Sequence, residues 1–86
     1  MIDNKDIVYK CDYFYVEKLH IESRKTPIYN LYINDSDFQL GCIKWYGAWR
    51  KFCFYPNDET VWDNKCLSIV VELLDKYNKE WIKKKE

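Results

Sequence analysis

The chain has 86 residues, 48% of them hydrophobic and 19% aromatic, with 14 basic side chains balanced by 14 acidic ones. That length builds one domain around one core, and an aromatic load this heavy closes such a core without disulfide staples. Zero net charge excludes a global field for nucleic acid or an anionic membrane surface, so a nucleic-acid role needs a local patch.

Residues 1 to about 12 mix charges with Ile7, Val8, Tyr9 and Cys11 and read as a fraying terminus that becomes a strand, not counted among the four below. No apolar run follows the opening charges as in a secretory signal, and no segment approaches the length of a membrane span. The chain is therefore expected in the cytoplasm of a bacterial host, with no membrane partner. Tyr13 to Glu22 is dense in β-formers and predicts a strand over about 13–22. Its apolar residues fall on both parities, so either both faces are covered or tyrosine hydroxyls keep one face wet. Ser23 to Pro27 is a turn, Ile28 to Ile33 a second strand over 28–33, and Asn34-Asp-Ser-Asp37 a turn whose side chains bond their own backbone.

Leu40 to Pro56 holds two of the four cysteines, two of the four tryptophans and both glycines, and reads as one β-hairpin with strands over about 39–46 and 49–55. Gly47 at the first central position suits a two-residue type II′ turn, and a symmetric two- or four-residue loop gives the same register. The register then sets Tyr46 opposite Trp49, Trp45 opposite Arg50, Lys44 opposite Lys51, Ile43 opposite Phe52, Cys42 opposite Cys53, and Gly41 opposite Phe54. One face, with Ile43, Trp45, Arg50, Phe52 and Phe54, is core, and Gly41 leaves room there for a close neighbour. The other carries Lys44, Lys51, Tyr46, Trp49, Cys42 and Cys53. Two lysines facing across the strands cost free energy unless they reach water or share an anion.

After Pro56 to Thr60, Val61 and Trp62 are expected to pack the connection onto the core. A helix over about 64–82 starts at Asp63 or Asn64, either of which caps the first turn. Its apolar stripe runs through Leu67, Val70, Val71, Leu74, Tyr77 and Trp81, widened by Ile69 and Leu73. Lys83 to Lys85 supply positive charge at the helix end, where the macrodipole favours it. The order predicts an α+β fold: a four-stranded antiparallel sheet with a single C-terminal helix packed on one face. The other face is left open with its aromatics and lysines.

Catalytic chemistry has little to build on. His20 is the single histidine, with no nucleophile or carboxylate at a recognisable spacing. Cys11, Cys42, Cys53 and Cys66 are spaced like neither a metal knuckle nor a disulfide framework and read as reduced thiols, a cross-strand Cys42 to Cys53 bridge being the alternative. Asp58, Glu59 and Asp63 lack the turn glycine of a calcium loop, and two glycines build no phosphate loop. No enzyme activity, metal or cofactor is expected.

The run Leu40-Gly41-x-Ile43-Lys44-Trp45-Tyr46, with Trp49-Arg50-Lys51-Phe52-Cys53-Phe54-Tyr55-Pro56, Thr60-Val61 and Cys66-Leu67, resembles a family of small uncharacterised proteins encoded by bacteriophages and other mobile elements. The resemblance covers about residues 40–67, with Phe52 standing where that pattern has tyrosine. It implies a phage or prophage setting and nothing about catalysis.

What remains is binding by aromatics and cations. Lys44, Tyr46, Trp49, Arg50 and Lys51 are the candidate ligand residues: rings stack a base while cations hold phosphate. For Arg50 the competing reading is a cation–π pair with Trp45 at the edge of the core. The expected function is a non-enzymatic, phage-type accessory protein that binds an anionic ligand, a nucleotide or short nucleic acid, to sequester a host signal, and that works as a homo-oligomer. The alternative is an interaction module docking on a host or phage protein through the same aromatics.

Overall fold

The computed structural model describes residues 6–85. Five strands, β1 (Asp6–Lys10), β2 (Phe14–Leu19), β3 (Ile28–Ile33), β4 (Gln39–Tyr46) and β5 (Lys51–Pro56), precede one helix, α1 (Asn64–Lys85). The strands form an antiparallel meander in the order β1-β2-β3-β4-β5. The α+β class and the C-terminal helix on one sheet face are as the sequence predicts, but the sheet has five strands, not four.

The extra strand is β1, whose pairing slips between Ile7 and Tyr9. This bulge breaks the period-two alternation, so Ile7 faces Glu17 while Tyr9 packs on Phe14, 6.4 Å between ring centroids. Its short, charge-flanked sequence carries too little pattern to be read as a strand. The Asn34 amide donates to the Cys11 carbonyl at 2.9 Å, tying the β1–β2 turn to the β3–β4 turn. β2 ends at Leu19, earlier than the predicted 22.

The hairpin register differs from the predicted one by two residues. Tyr46 pairs with Lys51, Trp45 with Phe52, Lys44 with Cys53, Ile43 with Phe54, Cys42 with Tyr55 and Gly41 with Pro56. A four-residue loop, Gly47 to Arg50, replaces the type II′ turn. The Arg50 N–H donates to the Tyr46 carbonyl at 2.9 Å, and Arg50 itself takes the left-handed conformation with φ 55°, while neither glycine has positive φ. Two lysines therefore do not face each other, the two cysteines are not opposed, and all four cysteines are free thiols.

Asp63 caps the helix: its Oδ1 accepts the Cys66 N–H at 2.9 Å, a bond that holds its carboxyl below the usual carboxylate range. Val70, Leu73 and Tyr77 are buried against Phe14, Val16, Tyr29, Leu31, Ile43 and Phe52. The buried stripe is thus rotated from the predicted one, and Leu67 and Val71 face solvent. Trp62 packs down as expected, 4.9 Å from the Phe54 ring, but Val61 is 92% exposed. Asn78 reaches from the helix to β5, accepting the Phe52 N–H at 2.8 Å and donating to its carbonyl at 3.3 Å.

Tyr29 and Tyr77 stack in parallel at 3.9 Å. Burial, with Glu80 nearby, pushes the Tyr29 hydroxyl up to about 12, and burial raises Tyr77 as well. Both folded values lie above the ordinary value of 10.0. The folded state holds these protons more tightly, so their contribution to stability is complete below about pH 10 and is lost as pH climbs towards 12. Urea midpoints are expected to fall across that window, with Tyr29 and Tyr77 last to ionise in a 295 nm titration. A midpoint flat to pH 12 would contradict the buried pair.

Candidate functional site on the open sheet face

Each side chain opposite the helix comes from alternate positions along the strands. β2 places Tyr15 and Glu17 there, β3 Asn30 and Tyr32, β4 Cys42, Lys44 and Tyr46, and β5 Lys51, Cys53 and Tyr55, as the cross-strand pairs require. Because the hairpin slips by two residues, each strand residue keeps its predicted face while changing its partner.

Of the five sequence-predicted residues, Lys44, Tyr46 and Lys51 stand together on this face. Trp49 leaves the strand for the loop but remains beside them: its ring meets Tyr46 edge-to-face at 5.1 Å. Tyr46 in turn lies 6.5 Å from Tyr55, and the Lys44 Nζ sits 4.6 Å from the Tyr55 ring centroid. The result is a connected strip of three rings with one cation on its last member. A groove of about 210 Å³ runs along it, lined by Tyr46, Trp49, Cys53, Phe54 and Tyr55.

Arg50 does not join the strip. It is an exposed loop residue and does not lie opposite Trp45, so the cation–π reading is corrected. Trp45 instead packs on Phe52 at 5.4 Å and Trp81 at 5.9 Å.

Sequence reasoning missed the other half of this face. Tyr15 and Tyr32 stack at 5.4 Å. The Gln39 amide donates to Asn30 Oδ1 at 3.1 Å, and the Asn30 amide to the Tyr32 hydroxyl at 3.3 Å. Burial chiefly raises the Tyr32 hydroxyl's pKa, and the Glu17 carboxylate beside it adds to the rise. Glu17 is 4% exposed, and its Oε2 lacks a hydrogen-bond partner. No local signal marks it, because a glutamate inside a β-rich run reads as one of the solvent-facing alternates. Its neighbours arrive only through pairing of β2 with β3.

Tyr55 was likewise missed as a ring under Lys44, since the predicted register put it opposite Leu40. Burial pushes the Cys42 thiol up, which makes it a poorer nucleophile than an ordinary surface cysteine. Among the described residues no three His, Cys, Asp or Glu side chains group to hold a metal ion, and no helix is long and apolar enough to cross a membrane.

No protein-family model matches the sequence, and no solved structure matches it. Over 69 residues the chain is 28% identical to an uncharacterized 9.3 kDa protein of Acholeplasma phage L2, an alignment covering 80% of this chain and 88% of that one. The chain is thus similar, over most of both lengths, to a small phage protein.

Proposed function

We propose that this chain is a phage-type accessory protein that binds an anionic ligand, a nucleotide or short nucleic acid, through the open sheet face, with no catalytic step of its own. The observation that carries the reading is the strip itself: Trp49, Tyr46 and Tyr55 in sequential ring contact, with Lys44 on the Tyr55 ring and Lys51 paired with Tyr46. Rings offer stacking surface to any base, and the two ammonium groups offer phosphate partners on the same face. Arg50, on the adjoining loop, adds a third cation to the rim. The likeness to a phage protein supports a phage setting, in which holding a host signalling nucleotide suits a small protein without net charge.

The test is fluorescence anisotropy with a labelled short single-stranded oligonucleotide, at several salt concentrations. In the double variant Lys44→Ala/Lys51→Ala binding is expected to weaken by about tenfold or more and the salt slope to become shallower, with the melting temperature nearly unchanged. Equal binding by variant and parent would remove these lysines from the site. Absence of any binding by the parent would favour the second reading, a protein-docking face anchored by Trp49, which is 66% exposed. Native mass spectrometry of the purified chain reports on the proposed homo-oligomer and on any retained small molecule in one measurement.

A further inference from the structure

A second concave site lies on the opposite side of the sheet, beyond the reach of the open-face strip. Lys18 pairs with Tyr29, whose ring packs on the helix, so this pair faces the helix layer. Where β2 ends and the following turn leads into β3, the chain brings Lys18, His20 and Lys25 around a cleft of about 250 Å³. Its inner wall is aromatic. Tyr29 and Tyr77 stand there as a parallel pair at 3.9 Å, and Phe52 and Trp81 meet edge-to-face at 6.1 Å beside them. The Lys18 Nζ lies 5.8 Å from the Tyr29 ring centroid, at the border between wall and mouth.

The charges around this cleft are unequal. Two lysines and a histidine line it, against the single carboxylate of Glu80. Asp6 lies across from Lys18 on β1, outside the lining. A cleft with an aromatic wall and an excess of N–H donors at its mouth matches a ligand that is apolar at one end and anionic at the other. A phosphoryl group satisfies several donors at once, because it presents three terminal oxygens and carries up to two charges. We infer that the cleft is a second ligand site, which takes a small phosphate monoester: the phosphoryl group meets Lys18, His20 and Lys25, and the organic body lies against Tyr29, Tyr77 and Trp81. The sequence gives no hint of it, since Lys18, Lys25 and the helix C-terminal half are joined only by the fold.

Phenyl phosphate is the probe, followed by ¹H–¹⁵N NMR of the whole chain. Saturable shifts are expected at the Trp81 indole and at the amides of 18–29 and 77–81. The double variant Lys18→Ala/Lys25→Ala weakens binding by about tenfold or more, and Glu80→Gln tightens it several-fold. In Lys44→Ala/Lys51→Ala the titration read at the Trp81 indole and the amides of 18–29 is expected to keep the parent midpoint, whatever happens at the open face, which separates the two sites. Lys25 and Glu80 are exposed but Lys18 is half-buried beside Tyr29, so the single variant Lys25→Ala, expected to weaken binding several-fold, accompanies the double one, and the amide spectrum verifies that each keeps the parent fold. Three results would overturn the inference: no saturable shift at the cleft at about 10 mM probe, shifts at Lys44 and Lys51 with none at the Trp81 indole or the amides of 18–29, or equal binding of benzoate at the cleft, which would show that a phosphoryl group is not what it selects.

Discussion

Truncating Phe52 to alanine is expected to remove about 3–5 kcal/mol of stability, a large share of the roughly 5–15 kcal/mol that holds an ordinary domain together. Phe52 is 2% exposed and sits at the junction of three rings: Tyr29 at 5.9 Å, Trp45 at 5.4 Å and Trp81 at 6.1 Å, each in an edge arrangement. Removing its ring leaves a cavity and strips one partner from all three. Those neighbours are large and held by contacts of their own, so the site cannot collapse to fill the gap. Urea unfolding of Phe52→Ala beside the parent checks this. A loss under about 1 kcal/mol would mean that the surrounding rings close in, contrary to the packing described.

The second large effect is expected at Gly41. A Cβ built there lies 2.7 Å from the Tyr55 carbonyl oxygen and 3.0 Å from the Pro56 Cα, both backbone atoms of the paired strand. A flexible side chain would swing aside, but a strand backbone locked in its ladder does not. Gly41→Ala is therefore expected to cost about 1–3 kcal/mol. On a domain of this size each kcal/mol lowers the melting temperature by roughly 4–8 °C. Gly47→Ala is the control: a Cβ there meets nothing within 4 Å and the residue has no positive φ, so the midpoint is expected to stay within about 0.5 kcal/mol of the parent. Equal effects at the two glycines would refute the close approach at Gly41.

The close approach at Gly41 was legible in the sequence, as were the helix, four antiparallel strands between Phe14 and Pro56 and the faces of the hairpin residues that stay in strands, though not that of Arg50. Face assignment survived the wrong register because side-chain direction repeats every two residues, and the slip was two. Partner identity did not survive it. Lys44 lies over Tyr55 instead of facing Lys51, and Arg50 has left the strand altogether, because the loop spans Gly47 to Arg50 and is not centred on Gly47-Ala48. Turn length depends on how the strand ends twist and bond, which residue types near Gly47 and Ala48 do not specify. The helix stripe was misplaced for a related reason. Leu67 and Val71 are as apolar as Val70 and Leu73, and only the angle at which the helix meets the sheet decides which pair is buried. Glu17 and the Lys18–Lys25 cleft were illegible, because each depends on neighbours distant in sequence.

Asn78 gives the sheet a boundary. Along β5 the outward-facing backbone groups belong to alternate residues, Phe52, Phe54 and Pro56. Asn78 already occupies both groups of Phe52, and Pro56 has no N–H to offer. A strand arriving from another molecule thus finds both groups of Phe54 and the Pro56 carbonyl on this margin, with the Phe52 groups already taken. The opposite margin, β1, is bulged between Ile7 and Tyr9. Strand addition by another molecule along β5 is accordingly blocked at Phe52 by a side chain of the protein's own helix.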